Sequence, residues 1–390
     1  LPIMTETVAD TTTEAAPHKD LEIYSSEQYF HALARDIADT KSGDRVAIMT
    51  MSFEPSEPLV QGVLEEFKAA GERGVEVAIG VDAFTFLVND DKKSMGPLWL
   101  PMPFGQATYK KRIETLEDIT KGPNASYSVI NKPDHLFSNP FAGRSHLKLG
   151  LVNDKVYIGG PNFHKSERTD MVVGLEDPEV ADWLYSLSQR IISAGRTDTV
   201  LGSEDQDVEI DSDTRILIDA GRPHQSAILD EALSLIDNAN DSLIASFQYF
   251  PTGIVSEHLA AASKRGVEVR PFHNHPSVHS TLVGFHERLA MLKQVVSLPG
   301  EFFKDQLPKG ANVLHSKAIA SDNSAMVGSH NNVYHGVKYG TPEIALLRHD
   351  AEFAHQVGGL IIEQVRALSI PATETEPTDS DELFGLPSTH

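Results

Sequence analysis

Two histidines and two lysines recur in this 390-residue chain at matching intervals. His146 and Lys148 stand two positions apart, and Asn162 follows the histidine by 16; His315, Lys317 and Asn331 repeat both intervals. Between Lys and Asn each copy has an apolar run, a polar turn, a second apolar run and a small-residue corner. The corners are Gly159-Gly160-Pro161-Asn162 and Gly328-Ser329-His330-Asn331. One His-x-Lys means little, since a chain with 17 His should hold about one by chance. Duplication of the whole unit carries far more weight.

On an extended strand, residues two apart face the same side, so each His shares a face with its Lys. The following hairpin returns the Asn toward that face. Two such units, face to face, surround a small volume with two imidazoles, two ammoniums and two carboxamides. That set suits a phosphodiester. Lys148, Lys317, Asn162 and Asn331, with Ser329 beside them, are expected to hold the non-bridging oxygens and the charge of a five-coordinate transition state. One His would attack phosphorus; the other would protonate the leaving oxygen and later deprotonate the acceptor. The residues alone leave open which does which. The lysines supply positive charge, so no metal or other cofactor is expected. A working imidazole also needs its second ring nitrogen held, which a carboxylate does well. Asp170, 24 residues after His146, and Glu343, 28 after His315, stand at equivalent places and are assigned that duty.

The elements that must position these groups repeat as well. Arg-Gly-Val-Glu-Val occurs at 73–77 and again at 265–269. Helical periodicity over 20–38 and 58–70 and a buried strand over 45–53 flank the first copy. Helices over 227–238 and 255–263 and a strand over 242–249 flank the second. After each His-x-Lys unit, a strand entered through Asp170 or Glu343 leads into a helix, at 179–192 and 352–368. The expected fold is therefore α/β, two fused repeats of a mixed sheet flanked by helices, related by a pseudo-two-fold with the site at their interface. The expected segments are a disordered lead at 1–19, repeats at 20–196 and 214–370, a solvated acidic linker at 197–213, and a disordered acidic tail at 371–390. The first repeat is 23 residues longer between its Arg-Gly and His-x-Lys. The excess lies within 84–141, where the apolar, Pro-broken stretch 96–104 reads either as a packed loop or as a lid for an acyl-bearing substrate.

Bulk composition excludes some partners. Asp and Glu outnumber Lys and Arg by 56 to 33, a formal charge of −23. That disfavours non-specific nucleic-acid binding and broad docking on an anionic bilayer. No apolar run approaches the ~20 residues of a membrane span. The chain has no cysteine, consistent with a cytoplasmic location, and any membrane contact would be peripheral, through loops such as 96–104. His273-Asn274-His275, with His279 nearby, invites a metal reading, but a rim loop fits the absence of further ligands better.

At these residues the chain resembles the phospholipase D superfamily, whose signature is His-x-Lys-(x)4-Asp followed by a Gly/Ser corner and Asn. His315-Ser316-Lys317 with Asp322 and Gly328-Ser329-x-Asn331 matches in full. His146-Leu147-Lys148 departs at Asn153, with Asp154 next to it. The family Asp supports the site rather than performing a chemical step, so Asn153, Asp154 and Asp322 are expected as supporting residues. The resemblance covers about 20–370. It implies a phosphohistidine on the first-motif histidine, His146, with His315 as acid and base. The texture is most similar to bacterial cardiolipin synthases and related phosphatidyltransferases. That implies a phospholipid substrate and an alcohol or water acceptor, with a nuclease acting on single strands as the alternative.

Overall fold

The apolar runs condense into two seven-stranded mixed sheets in the computed structural model, which describes residues 19–87, 106–132, 143–163, 169–276, 304–309, 311–332 and 334–369. The first sheet contains β1 (Leu21–Ser25), β2 (Arg45–Thr50), β3 (Glu76–Asp82), β4 (Ala125–Ile130), β5 (Leu149–Val152), β6 (Lys155–Gly159) and β7 (Met171–Glu176). The second contains β8 (Gln206–Glu209), β9 (Thr214–Asp219), β10 (Ser242–Phe247), β11 (Glu268–His273), β12 (Ala318–Ser321), β13 (Ala325–Gly328) and β14 (Glu343–Arg348). Their orders are β1-β7-β6-β5-β2-β3-β4 and β11-β10-β12-β13-β14-β9-β8. Six strands correspond one to one, β1-β7-β6-β5-β2-β3 with β9-β14-β13-β12-β10-β11. Each sheet then adds one edge strand, β4 beside β3 and β8 beside β9. The internal repeat is a repeat of topology.

Local signals account for the main helices. Pro178–Ala194 starts at Asp177, whose side chain accepts from Glu179 N and Val180 N, and stops at Gly195, where φ is 65°. Ser26–Ala38 starts on a capping box between Ser25 and Gln28. Ala351–Ser369 starts where Asp350 accepts from Phe353 N at 2.7 Å.

Three apolar clusters divide the interior. One lies between the first sheet and its outer helices Ser26–Ala38 and Pro58–Glu72, another between the second sheet and Ala227–Asn238 and Ile254–Arg265. The third joins the halves: Ile158, Met171 and Val173 cluster with Val327, Ile344 and Leu346 and with the helices Pro178–Ala194 and Ala351–Ser369. At about 1.5–3 kcal/mol per fully buried aliphatic side chain, this shared core is the main force holding the repeats face to face.

The structure departs from the sequence reading in three places. Residues 21–25 are strand rather than the start of a helix, because β1 pairs antiparallel with β7; β9, its counterpart, was likewise unforeseen. The acidic segment 197–213 is ordered where a solvated linker was expected. It holds the short helix Thr197–Leu201 and edge strand β8, and Asp205 accepts from Ala220 N and Ala227 N at 2.8 and 3.1 Å. Lys19, assigned to a disordered lead, is anchored: its N–H donates to Asp211 and its ammonium meets Asp177 at 2.8 Å. Residues 1–18, the 96–104 stretch and the 371–390 tail lie outside the described residues.

Candidate active site

His146 and Lys148 occupy an extended segment immediately before β5, and His315 and Lys317 the same place before β12. The strand expected to carry them begins just after them, so these residues point inward from the ladder's end. All four are buried, His146 at 7% exposure and the others at 2–3%.

Each histidine backbone is tied to the other half. His315 N donates to Thr169 O at 2.8 Å, and His146 N donates to Pro342 O at 2.9 Å. Thr169 and Pro342 directly precede Asp170 and Glu343. The side chains follow the same crosswise rule. Nδ1 of His146 lies 2.8 and 2.9 Å from the two Glu343 oxygens, and Nδ1 of His315 lies 2.5 Å from Asp170 Oδ2. The sequence spacing counted each carboxylate from the histidine of its own half; the fold pairs it with the other. Lys317 Nζ sits 3.0 Å from His315 Nδ1 and 4.0 Å from Asp170, while Lys148 Nζ donates to His146 O at 3.4 Å. Two imidazoles, two ammoniums and two carboxylates thus share one buried centre.

The two corners support these carboxylates differently. Ser329, expected among the phosphate ligands, uses its hydroxyl elsewhere: it donates to Glu343 Oε2 at 2.5 Å and accepts from Ile344 N at 3.0 Å, fully buried. It is a support for Glu343. Gly160 takes the equivalent place in the first half, and a Cβ there would overlap the Asp170 carboxylate. Asn162 accepts from Ser52 N at 3.2 Å, whereas the buried Asn331 carbonyl oxygen has no hydrogen-bond partner among the described residues. The supporting trio stands at the opposite end of the hairpins, about 13 Å along each four-residue strand. Asn153, at φ 51°, accepts from Arg45 N at 3.1 Å. Asp322 accepts from the backbones of Asn240, Asp241 and Ser242 at 2.6–3.2 Å. Asn153 therefore does in the first half what Asp322 does in the second. The Asp154 carboxylate makes a 3.9 Å surface contact with Arg45, and its backbone carbonyl accepts from Asp177 N at 2.9 Å.

Burial sets the proton affinities. Removal from water, with Lys148 and Lys317 adding, pulls His146 down to about 4 against the opposing pull of Glu343. Burial alone would raise Glu343, but His146, with lesser help from His330 and Lys148, keeps it below its ordinary value. At neutral pH this pair is neutral imidazole and carboxylate, with the ring Nδ1–H donated to Glu343.

Two positioning residues escaped the sequence reading. Asp82 ends β3, fully buried, and accepts from Ser145 N at 2.8 Å, immediately before His146. Asn274 holds Leu314 N at 2.9 Å, immediately before His315. The signal was available, since each lies nine residues after the Arg of its Arg-Gly-Val-Glu-Val. Burial raises Asp82 to about 6, against its bonds to Asn131 and the charge of Arg144. His273 packs edge-on against Phe250 at 4.9 Å, a core role, and His279 lies outside the described residues. Among the described residues no group of three His, Cys, Asp or Glu could hold a metal, and no helix is long and apolar enough to cross a membrane.

Residues 232–361 match the family described as cardiolipin synthase, PLD-like domain. Residues 232–361 thus form a phospholipase D-like domain. The matched phospholipase D-like domain contains His315, Lys317, Asn331 and Glu343, and the topological repeat extends its plan to the first half. The crystal structure of phosphatidylserine synthase from Haemophilus influenzae Rd KW20 is similar in fold, with TM-score 0.64 at 15% identity, covering 90% of this chain and 87% of that one. Polyphosphate kinase from Porphyromonas gingivalis is similar at TM-score 0.51 and 12% identity, over 89% of this chain and 50% of that one. No curated protein sequence matches the chain.

Proposed function

We propose that this phospholipase D-superfamily chain cleaves a phospholipid phosphodiester through a covalent phosphohistidine and passes the phosphatidyl group to an alcohol or to water. The observation that carries this reading is the crossed pair of buried histidine–carboxylate contacts between two lysines.

In the proposed reaction, neutral His146 donates Nδ1–H to Glu343, which leaves the Nε2 lone pair free for attack. The Nε2–P bond forms as the bond from phosphorus to the departing headgroup oxygen breaks. Protonated His315 gives its proton to that oxygen. It then takes a proton from the acceptor, whose oxygen attacks phosphorus and expels His146. Lys148 and Lys317, with Asn162 and Asn331, are proposed to hold the phosphoryl oxygens. Glu343 and Asp170 hold the two rings. The asymmetry of the contacts favours His146 as nucleophile. Both Glu343 oxygens face its Nδ1, whereas Nδ1 of His315 is shared between Asp170 and Lys317.

A lipid substrate is supported by the cardiolipin synthase description of the matching family and by the name of the phosphatidylserine synthase that shares the fold. The charge of −23 argues against a nucleic-acid backbone as substrate. The repeats at 20–196 and 214–370 are proposed as one catalytic unit, since His146 and His315 each meet a carboxylate of the other half.

The test is to incubate the protein with phosphatidylglycerol and, separately, with single-stranded DNA. Cardiolipin plus glycerol would identify a transferase, and phosphatidic acid a hydrolase. Shortened DNA with intact lipid would overturn the lipid reading. Intact-mass analysis after a rapid quench should show a phosphatidyl adduct in the wild type and none in His146→Ala.

A further inference from the structure

The backbone leading into each histidine is held from behind, and the two halves do it with different charge. Asp82 and Asn274 stand at equivalent places, and each accepts from the N–H just before a histidine, Ser145 N at 2.8 Å and Leu314 N at 2.9 Å. Asn274 is neutral and also donates, to Leu314 O at 2.7 Å and to Gln248 O at 2.8 Å. Asp82 is a carboxylate with no exposed surface. Two residues before its histidine the first half has Arg144, where the second has Val313. The buried Arg144 guanidinium stands 3.6 Å from Asp82 Oδ1.

Asn131 completes the cluster. It follows β4, the edge strand of the first sheet, and its φ of 55° lies in the left-handed region that asparagine tolerates. Its Nδ2 donates to Asp82 Oδ2 at 2.8 Å and to Thr197 Oγ1 at 3.0 Å, while its Oδ1 accepts from Thr197 N at 2.9 Å. Its N–H donates to Gly195 O and its carbonyl accepts from Arg144 Nη1, both at 2.8 Å. Gly195 and Thr197 lie where the first repeat passes into the segment that joins the halves. Hydrogen bonds thus run without a break from there through Asn131 and Asp82 to the residue before His146.

The charge on Asp82 is what makes this arrangement consistent. Facing the carboxylate are Phe84 N at 2.7 Å from the loop after β3, Ser145 N and Arg144 from the segment before β5, and Asn131 Nδ2 from the end of β4. Arg144 is the charged group among them. A proton added to the acid would meet these donors and displace one. Burial favours that proton and raises Asp82 to about 6, while the Asn131 bond and the Arg144 charge oppose the rise.

We propose that Arg144 and Asn131 are positioning residues for His146 that act through Asp82, keeping its carboxylate charged and aimed at the Ser145 amide. The hold on His146 then depends on a charge, whereas the hold on His315 through Asn274 does not. This rests on the reading of His146 as a working residue of the site.

The experiment has two readouts on the intact protein. The first needs no substrate. The Ser145 amide resonance is followed by NMR from pH 5 to 9, where it reports the ionisation of the carboxylate it donates to, with a midpoint near 6 in the wild type. Arg144→Gln should raise that midpoint by about one pH unit or more, and Arg144→Lys, which keeps the charge, should bring most of the shift back. A folded Arg144→Gln whose midpoint is unmoved or absent overturns the proposal. Should Arg144→Gln fail to fold, Asn131→Gly keeps the left-handed backbone and removes the bond to Asp82. Its midpoint must also rise, and no rise overturns the proposal equally. The second readout is turnover of phosphatidylglycerol, taken as variant over wild type at each pH so that the reaction's own pH dependence cancels. A midpoint moved from about 6 to about 7 lowers the charged fraction at pH 6.5 about threefold, so kcat of Arg144→Gln should fall about threefold there and recover at pH 8.5. A loss of the same size at every pH would make Arg144 structural alone and overturn the proposal. A wild type that leaves the lipid intact counts against the proposed substrate, and the amide titration decides the positioning role without it.

Discussion

Nδ1 of His146 lies 2.8 Å from Glu343, 197 residues later in the chain and on the opposite sheet. The carboxylate of its own half, Asp170, instead meets His315 at 2.5 Å. Each half thus completes the other.

The crossing dictates which histidine a carboxylate variant disturbs. Glu343→Gln should perturb the ring titration of His146, and Asp170→Asn that of His315. Turnover should fall by roughly 10²–10⁴ in each, the range expected when a working imidazole loses its tautomer-setting partner. Histidine NMR on the two variants checks this. The opposite assignment of signals would mean the halves are self-contained.

His146 should remain neutral far below the usual histidine range. Its folded value is lowered from 6.5 to about 4, so the unfolded chain takes up the proton first as pH falls. The stability associated with neutral His146 is therefore fully present above about 6.5 and lost as pH drops from there toward 4. Lys148→Met removes a nearby positive charge and should raise the His146 value, so that the loss still begins near 6.5 but ends at a higher pH and is smaller. Denaturant melts across pH 4–7 on both proteins would detect it.

Gly160 should tolerate no side chain. A Cβ there overlaps the Asp170 carboxylate, so Gly160→Ala should destabilise the fold by about 1–3 kcal/mol and push Asp170 off His315. Turnover should drop at least tenfold. Ser329→Gly, its mirror in the second half, removes one hydrogen bond to Glu343 and should be milder. Thermal melts with activity assays on the two variants compare them directly.

Asp322 should matter for stability and little for chemistry. It accepts three backbone N–H groups at the start of β10, at the far end of the hairpin from His315. Asp322→Ala should lower the melting temperature by several degrees and leave kcat/KM within about threefold at temperatures where the variant is folded. A loss as large as that from His315→Ala would assign Asp322 to the reaction itself.

Chelation should leave turnover unchanged, because Lys148 and Lys317 are proposed to neutralise the phosphoryl oxygens. Activity lost in EDTA and restored by a divalent ion would overturn that role for the lysines.

Much of this was legible in the residues alone. The identical pentapeptides, the two His-x-Lys units and the equal intervals to Asn162 and Asn331 defined a duplicated unit and its chemistry, because periodicity and spacing are properties of the chain. Helices with long amphipathic runs and explicit caps, such as Pro178–Ala194, were legible for the same reason. Strands β1 and β9 were not: each lies on the side of its sheet beyond β7 or β14, and its state depends on that distant partner more than on its own pattern.

The assignment of partners within the site belongs to the tertiary structure. In sequence, Asp170 stands nearest His146 and Ser329 reads as a phosphate ligand. In space, Asp170 and Glu343 enter strands on the two sides of the shared core, and each side chain reaches the histidine tied to its own backbone neighbour, Thr169 or Pro342. The burial that follows lowers the proton affinity of His146 and commits the Ser329 hydroxyl to Glu343. The sequence by itself determined which groups are present and that they come in pairs. Packing one sheet against the other decided which group holds which, because hydrogen bonds reach only about 3 Å and only the fold brings residues 197 positions apart to that distance.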